Sequence, residues 1–229
     1  MTKENVKNDN ESFDYKKSLK NPKDPLIKKI KFIDFYLNRP VAALIVRLVF
    51  NTRVTPNGLT YFSFFTGILG AFFFSRGEYR YFILGGICAQ LSSIIDGADG
   101  MLARTKNMCS NYGSHLDLFL DRITDFSLWI GISLGAGIYF KNPRLISIGM
   151  LAAGLYLLHV NLFYITKSYF QLNDKGDTGE ARAVLLFFVL IFAITGRMDI
   201  FIYLFLAETS LVNLVRLIYF ISLGRKKNL

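Results

Sequence analysis

Two stretches of the chain, Val54–Ser75 and Leu145–Thr166, contain no Asp, Glu, Lys or Arg over 22 positions each. Coiled as helices, each is long enough to cross a hydrocarbon core of roughly 30 Å. Shorter uncharged runs occupy Tyr81–Ile95, Phe126–Phe140 and Ala183–Gly196, and a broken one lies at Ile200–Gly224. Gly and Pro interrupt these runs without ending them, as membrane helices tolerate. The pattern predicts six spans at about 56–75, 80–104, 113–139, 144–170, 181–197 and 199–223. Before them, PVAALIVRLVFN reads as a short amphipathic helix with Arg47 at its polar edge. The expected fold class is therefore an all-α polytopic membrane protein: six transmembrane helices preceded by an N-terminal amphipathic interfacial helix. Its parts are a polar basic tail (1–37), a juxtamembrane amphipathic helix (38–53), the six-helix domain (54–224) and a basic C-terminal tail (225–229).

The tail changes this picture little. MTKENVKNDNES is too polar to bury a core and reads as disordered. LIKKIKFIDFYLNRP alternates apolar and basic residues and suits a surface of anionic headgroups. Met1 opens no apolar stretch of signal-peptide type, so insertion is expected to rely on the internal spans. Two cysteines, Cys88 and Cys109, provide no disulfide framework.

Charge orients the spans. With the N-terminus inside, twenty Lys and Arg fall on the inner side and five (Arg76, Arg80, Lys141, Arg144, Arg197) on the outer. The positive-inside rule then places both termini, and the segment 94–122, in the cytoplasm of a multi-pass protein of the cell (inner) membrane.

That segment, IIDGADGMLARTKNMCSNYGSHLDLFLDR, holds the candidate chemistry. The runs on either side of it are long enough to cross a bilayer only if their helices take in Asp96 and Asp99, and Asp117, Asp121 and Asp125. Ionisable groups at such depth are costly and mark function. Asp96 and Asp99 share one helical face, as do Asp117 and Asp121, and the short TKNMCSNY loop is expected to make their helices antiparallel neighbours. Four carboxylates in low dielectric repel one another unless cations join them, and hard oxygen donors suit Mg²⁺ or Mn²⁺. A site this acidic has room for two ions around a phosphoryl centre. Gly100, Gly113 and Ala103 leave space for a bulky substrate, and Arg104 offers a forked contact to phosphate.

These residues, D96-x2-D99-G100-x2-A103-R104-x8-G113-x3-D117-x3-D121, resemble the signature of the CDP-alcohol phosphotransferases at every defined position. T55-P56-N57-G58-L59-T60 is similar to that family's lead segment, and the likeness covers roughly residues 38–223. It implies displacement on a CDP-linked lipid by an alcohol, with CMP leaving. It implies metal ligands at Asp96, Asp99, Asp117 and Asp121, two Mg²⁺ or Mn²⁺ ions, and Asp121 as the base on the acceptor hydroxyl. Asn57, Thr60, Gly100, Ala103, Arg104, Ser110 and Gly113 would meet the CDP-lipid. The segment SLKNPKDPLIKKI through TRVTPN looks most like members that use inositol phosphate, including the di-inositol-phosphate synthases; glycerol phosphate and serine stay open as acceptors. Lys167, Arg182 and Arg216 are the cations available to a phosphorylated acceptor, or else simple topology signals. The family also admits a homodimer; nucleic acid is not an expected partner.

Several neighbouring residues have competing readings. Asp125 either supports a ligand or pairs with Arg122 or another span. His115 reads as an exposed interfacial residue, while His159, Asn161, Glu208 and Asn213 read as bonds between helices. Two other classes compete as well. A cation transporter would place acids at midplane in broken helices, and a pyrophosphate-using intramembrane prenyltransferase would carry its aspartate motifs in separate halves of a longer chain.

Overall fold

The computed structural model describes residues 34–170 and 178–227. The tail before residue 34, the stretch 171–177 and the last two residues, with the readings made for them, lie outside the described residues. One wide turn at Asp34–Asn38 leads into helix α1 (Arg39–Val49), followed by α2 (Pro56–Ser75), α3 (Tyr79–Thr105), α4 (Asn111–Tyr139), α5 (Arg144–Tyr169), α6 (Thr178–Thr195) and α7 (Met198–Lys227). The described residues form no strand. By length and composition, α2, α3, α5 and α7 are apolar and long enough to cross a membrane, and Arg182–Thr195 of α6 is a shorter apolar helix. Asp117, Asp121, Arg122 and Asp125 in the first half of α4 set it apart from these. Large apolar side chains such as Phe62, Phe65 and Phe72 on α2 and Leu211, Leu214 and Ile218 on α7 stand exposed. Such surface suits lipid rather than water.

Local chemistry sets the helix ends nearest the aspartates. Thr55, in extended conformation, accepts a bond from the Gly58 amide at 3.2 Å, and Pro56 fills the first turn of α2, where no amide is needed. Ser110 caps α4 in the same way, accepting from the Gly113 amide at 3.0 Å. Between them, Lys106 at the end of α3 donates to the carbonyls of Thr52 (3.0 Å) and Val54 (2.9 Å). One ammonium thereby ties the α3–α4 turn to the α1–α2 link.

Helix packing departs from the hairpin expected of α3 and α4. The two helices make few direct contacts, and each packs along α2 instead. Small residues explain this. A Cβ on Gly131 or Gly135 of α4 would run into the carbonyls of Ala71 and Phe74 on α2, and one on Gly70 of α2 would press on the Gly85 carbonyl of α3 at 3.1 Å. Gly131 and Gly135 form a G-x3-G stripe, which lets backbones approach where lipid offers no hydrophobic drive for association. With α2 between them, α3 and α4 leave a space at the end that carries the carboxylates.

The remaining helices close that space. α5 packs on α7 and α4, α6 packs on α3, and α1 lies across α3. An aromatic core of Trp129, Tyr156, Phe201 and Phe205 joins α4, α5 and α7, with Trp129 and Phe205 centroids 4.3 Å apart. A second cluster packs Ala42, Ala43 and Val46 of α1 on Ile94, Ile95, Ala98 and Leu102 of α3. It buries the turn of α3 just before Asp99.

Candidate active site

Asp96, Asp99 and Asp117 each place one carboxylate oxygen within 4.8 Å of the others. α3 supplies the first two at i, i+3, and α4 supplies the third from its second turn. Asp99 is buried, and its Oδ2 accepts a 2.5 Å hydrogen bond from the Thr60 hydroxyl on α2. Asp117 Oδ1 is buried with no hydrogen-bond partner. An unpartnered carboxylate oxygen facing two further carboxylates is unfavourable by itself and fits a divalent cation, since all donors are hard oxygens.

Asp121 takes a different neighbour. Its Oδ1 lies 2.8 Å from Nη1 of Arg182, a nitrogen that is also 3.3 Å from Asp96 Oδ2. Among the described residues, the clustered ligand atoms come from three aspartates and the fourth is ion-paired. Arg182 enters from the first turns of α6 and is 4% exposed.

The carboxylates open into a cavity of about 530 Å³, also lined by Asn38, Arg39, Gly100, Arg104, Arg122 and Arg182. A second cavity of about 230 Å³ adjoins it, sharing Asp99, Gly100, Arg104 and Asp117. Asn57, Thr60, Gly100, Ala103, Arg104, Ser110 and Gly113, the residues expected to meet a CDP-lipid, all line this second cavity. The Arg104 guanidinium folds back over Gly100, where a Cβ would lie 3.2 Å from Nη1. At Gly113, a Cβ would press on Asn57 Oδ1 at 3.1 Å, narrowing the gap between α2 and α4.

The three cations expected to serve an acceptor separate. Arg182 reaches the aspartates, whereas Lys167 and Arg216 line a different cavity of about 500 Å³, where both face the Phe163 ring. They stand on α5 and α7, whose shared face turns them away from the α3–α4 space. Asp125 follows its pairing reading, accepting from Arg122 at 3.2 Å and, from another helix, from Arg182 at 2.7 Å. His115 is exposed, with Nδ1 2.7 Å from the Asn111 carbonyl. Asn213 bonds across to the Leu155 carbonyl on α5 at 2.8 Å, but Asn161 corrects its reading, bonding the Leu157 carbonyl of its own helix because its side chain is exposed. The sequence reading passed over two partners, Thr60 as donor to Asp99 and Tyr156, whose hydroxyl reaches Asp125 at 2.8 Å. A buried tyrosine opposite an intramembrane acid was the available signal for the second.

A family model described as CDP-alcohol phosphatidyltransferase matches residues 53–219. The chain belongs to the CDP-alcohol phosphatidyltransferase family. Within it, this member is 30% identical over 199 residues to the bifunctional IPC transferase and DIPP synthase of Archaeoglobus fulgidus, covering 80% of this chain and 37% of that protein. The protein of the same name in Rubrobacter xylanophilus is 40% identical over 87 residues, 38% of this chain and 19% of its own. An archaetidylinositol phosphate synthase of Pyrococcus horikoshii is 34% identical over 97 residues, 42% of this chain and 50% of its own. The matches span between about a fifth and a half of these relatives' length. The likeness of the lead-in to inositol-phosphate-using members agrees with these names.

Proposed function

We propose that this protein transfers a phosphatidyl or similarly substituted phosphoryl group from a CDP-linked lipid to a small polar alcohol, releasing CMP. The observation that carries the proposal is the Asp96–Asp99–Asp117 cluster opening onto a cavity lined by Gly100, Ala103, Arg104 and Gly113. The domain is residues 54–224, six helices crossing the cell membrane, with α1 lying at the interface. The acidic end faces the cytoplasm, a reading supported by the excess of Lys and Arg on that side, twenty against five.

Asp96, Asp99 and Asp117, completed by Asp121, would hold Mg²⁺ or Mn²⁺, two ions in our reading. Bound there, the metal supplies charge neutralisation for the diphosphate and the departing CMP. The chain's own residues do the rest. Arg104 clamps a donor phosphate with two parallel N–H bonds. Gly100 and Gly113 admit the diphosphate close to the backbone, and Asn57 at the start of α2 borders the nucleotide. Asp121 takes the proton of the acceptor hydroxyl as it attacks phosphorus. A carboxylate is a weak base at rest, but the hydroxyl grows acidic as its oxygen bonds to phosphorus. Most of the rate then comes from alignment and preorganised charge, since the transition state of phosphoryl transfer asks little covalent chemistry of the protein.

The acceptor in this proposal is inositol phosphate, supported by the names of the relatives and by Arg182 beside the base. The family match favours the transferase over a cation transporter or a prenyltransferase. The test is a screen of inositol phosphate, glycerol phosphate, serine and inositol with CDP-diacylglycerol and Mg²⁺, following CMP. Inositol phosphate is expected to give the fastest release; a preference for inositol or serine would remove the phosphorylated acceptor.

A further inference from the structure

Asp125 lies one turn beyond Asp121 on α4, outside the aspartate signature, and is 1% exposed. A carboxylate so buried is costly unless donors surround it. Three do. Arg182 Nε reaches Oδ1 at 2.7 Å, while the Tyr156 hydroxyl at 2.8 Å and Arg122 Nη1 at 3.2 Å reach Oδ2. The Tyr156 ring is itself fixed, edge-on to Trp129 at 5.7 Å and beside Phe205 at 6.0 Å. One carboxylate thus joins α4, α5 and α6 through a phenol held by the aromatic core.

Arg182 is the group this arrangement aims. A guanidinium is planar, so anchoring Nε fixes the direction of both terminal nitrogens. Nη1 lies 2.8 Å from Asp121 and 3.3 Å from Asp96 as an ion pair, and neither Nη1 nor Nη2, both buried, makes a hydrogen bond although the residue lines the aspartate cavity. A donor left free at a cavity wall awaits an anionic or hydroxyl oxygen.

We propose that Asp125, braced by Tyr156, is a positioning residue that holds Arg182 against Asp121 on the acceptor side of the cavity. The proposal rests on the transferase reading. Without Asp125, the guanidinium has only Asp96 and Asp121 left to pair with and swings onto them, losing its direction toward the acceptor. A purely structural ion pair would hold the helices together and impair donor and acceptor alike.

The test uses the full chain purified in lipid nanodiscs, as wild type, Asp125→Asn, Arg182→Gln, the double variant and Tyr156→Phe. CMP release is followed from CDP-diacylglycerol with whichever of inositol phosphate, glycerol phosphate or serine reacts fastest. Asp125→Asn is expected to lower kcat/KM for the acceptor at least tenfold, to keep the donor KM within twofold, and to retain stabilisation by CDP with Mn²⁺. In the Arg182→Gln background the same change should cost less than twofold, because Asp125 acts through Arg182. Melting should show the same coupling: Asp125→Asn lowers the midpoint alone and lowers it less once Arg182 is gone, since the buried carboxylate then keeps only Arg122 and Tyr156 as donors. Equal losses for donor and acceptor, or losses that multiply in the double variant, would overturn the positioning role. If Asp125→Asn does not fold, Tyr156→Phe decides, with a two- to tenfold loss on the acceptor side expected and wild-type acceptor kinetics overturning the brace. A wild-type protein that releases no CMP would instead overturn the transferase reading itself.

Discussion

Thr60→Val removes a hydroxyl whose one proton goes to Asp99 Oδ2 at 2.5 Å in preference to the Pro56 carbonyl at 3.2 Å. The valine has nearly the same shape, so α2 should keep its packing against α3. What changes is the carboxylate: Thr60 and Asp99 are both buried. A hydrogen bond to a charged group is worth about 1.5–3 kcal/mol, and its loss here also frees the Asp99 carboxylate to rotate. At 1.36 kcal/mol per factor of ten, that corresponds to roughly a 10- to 150-fold loss. Loss of a partner just outside a metal's ligands costs a comparable 10- to 100-fold in affinity. The assay is Mn²⁺ binding to the purified protein by electron paramagnetic resonance, comparing wild type with Thr60→Val and Thr60→Ser. Thr60→Ser keeps the donor and should bind within threefold of wild type, whereas Thr60→Val should weaken binding at least tenfold. Mn²⁺ affinity unchanged in Thr60→Val, with only the donor KM raised, would refute the orienting role and return Thr60 to a direct substrate contact.

Three other changes probe different parts of the account. Asp121→Asn should abolish CMP release, by 10³-fold or more, while CDP with Mn²⁺ still raises the melting midpoint; turnover near wild type would remove Asp121 as the base. Arg104→Lys should raise the donor KM at least fivefold, because one ammonium replaces a forked contact; an unchanged KM would place Arg104 outside the phosphate site. Gly131→Ala puts a methyl into the Ala71 carbonyl, whereas a Cβ at Gly154 meets nothing within 4 Å. Overpacking of this kind costs about 1–3 kcal/mol, so Gly131→Ala should melt earlier and bind Mn²⁺ less well than Gly154→Ala, and equal melting of the two would argue against the α2–α4 contact.

The grouping of Asp96, Asp99 and Asp117 was legible because these residues are tied by short, fixed spacings. Asp96 and Asp99 sit on one helix face by periodicity alone, and Ser110 and Thr55 stand where helix caps belong. Uncharged runs likewise placed the helices, since a membrane-length stretch has few alternatives. The arrangement around the site was less legible. The short TKNMCSNY turn implied that α3 and α4 pair directly, yet a turn fixes only where two helices meet. Their paths are set by the close approach of Gly131 and Gly135 to α2, and the G-x3-G spacing was the available sign. Lys167, Arg182 and Arg216 looked alike as cations near helix ends. Only three-dimensional packing separates them, because α6 lies on α3 while α5 and α7 face each other. Asp125 shows the same limit: its spacing from Arg122 named one partner, and those from α5 and α6 lie 31 and 57 residues away.

The central claim is that the clustered carboxylates work with a divalent cation on a CDP-linked lipid. Its most direct measurement is release of labelled CMP from CDP-diacylglycerol by the purified chain with inositol phosphate, before and after chelation by EDTA. The account predicts release that stops on chelation, returns with Mg²⁺ or Mn²⁺, and is absent in Asp99→Ala under every condition. CMP release indifferent to EDTA, or restored Asp99→Ala activity at ordinary metal concentration, would contradict it.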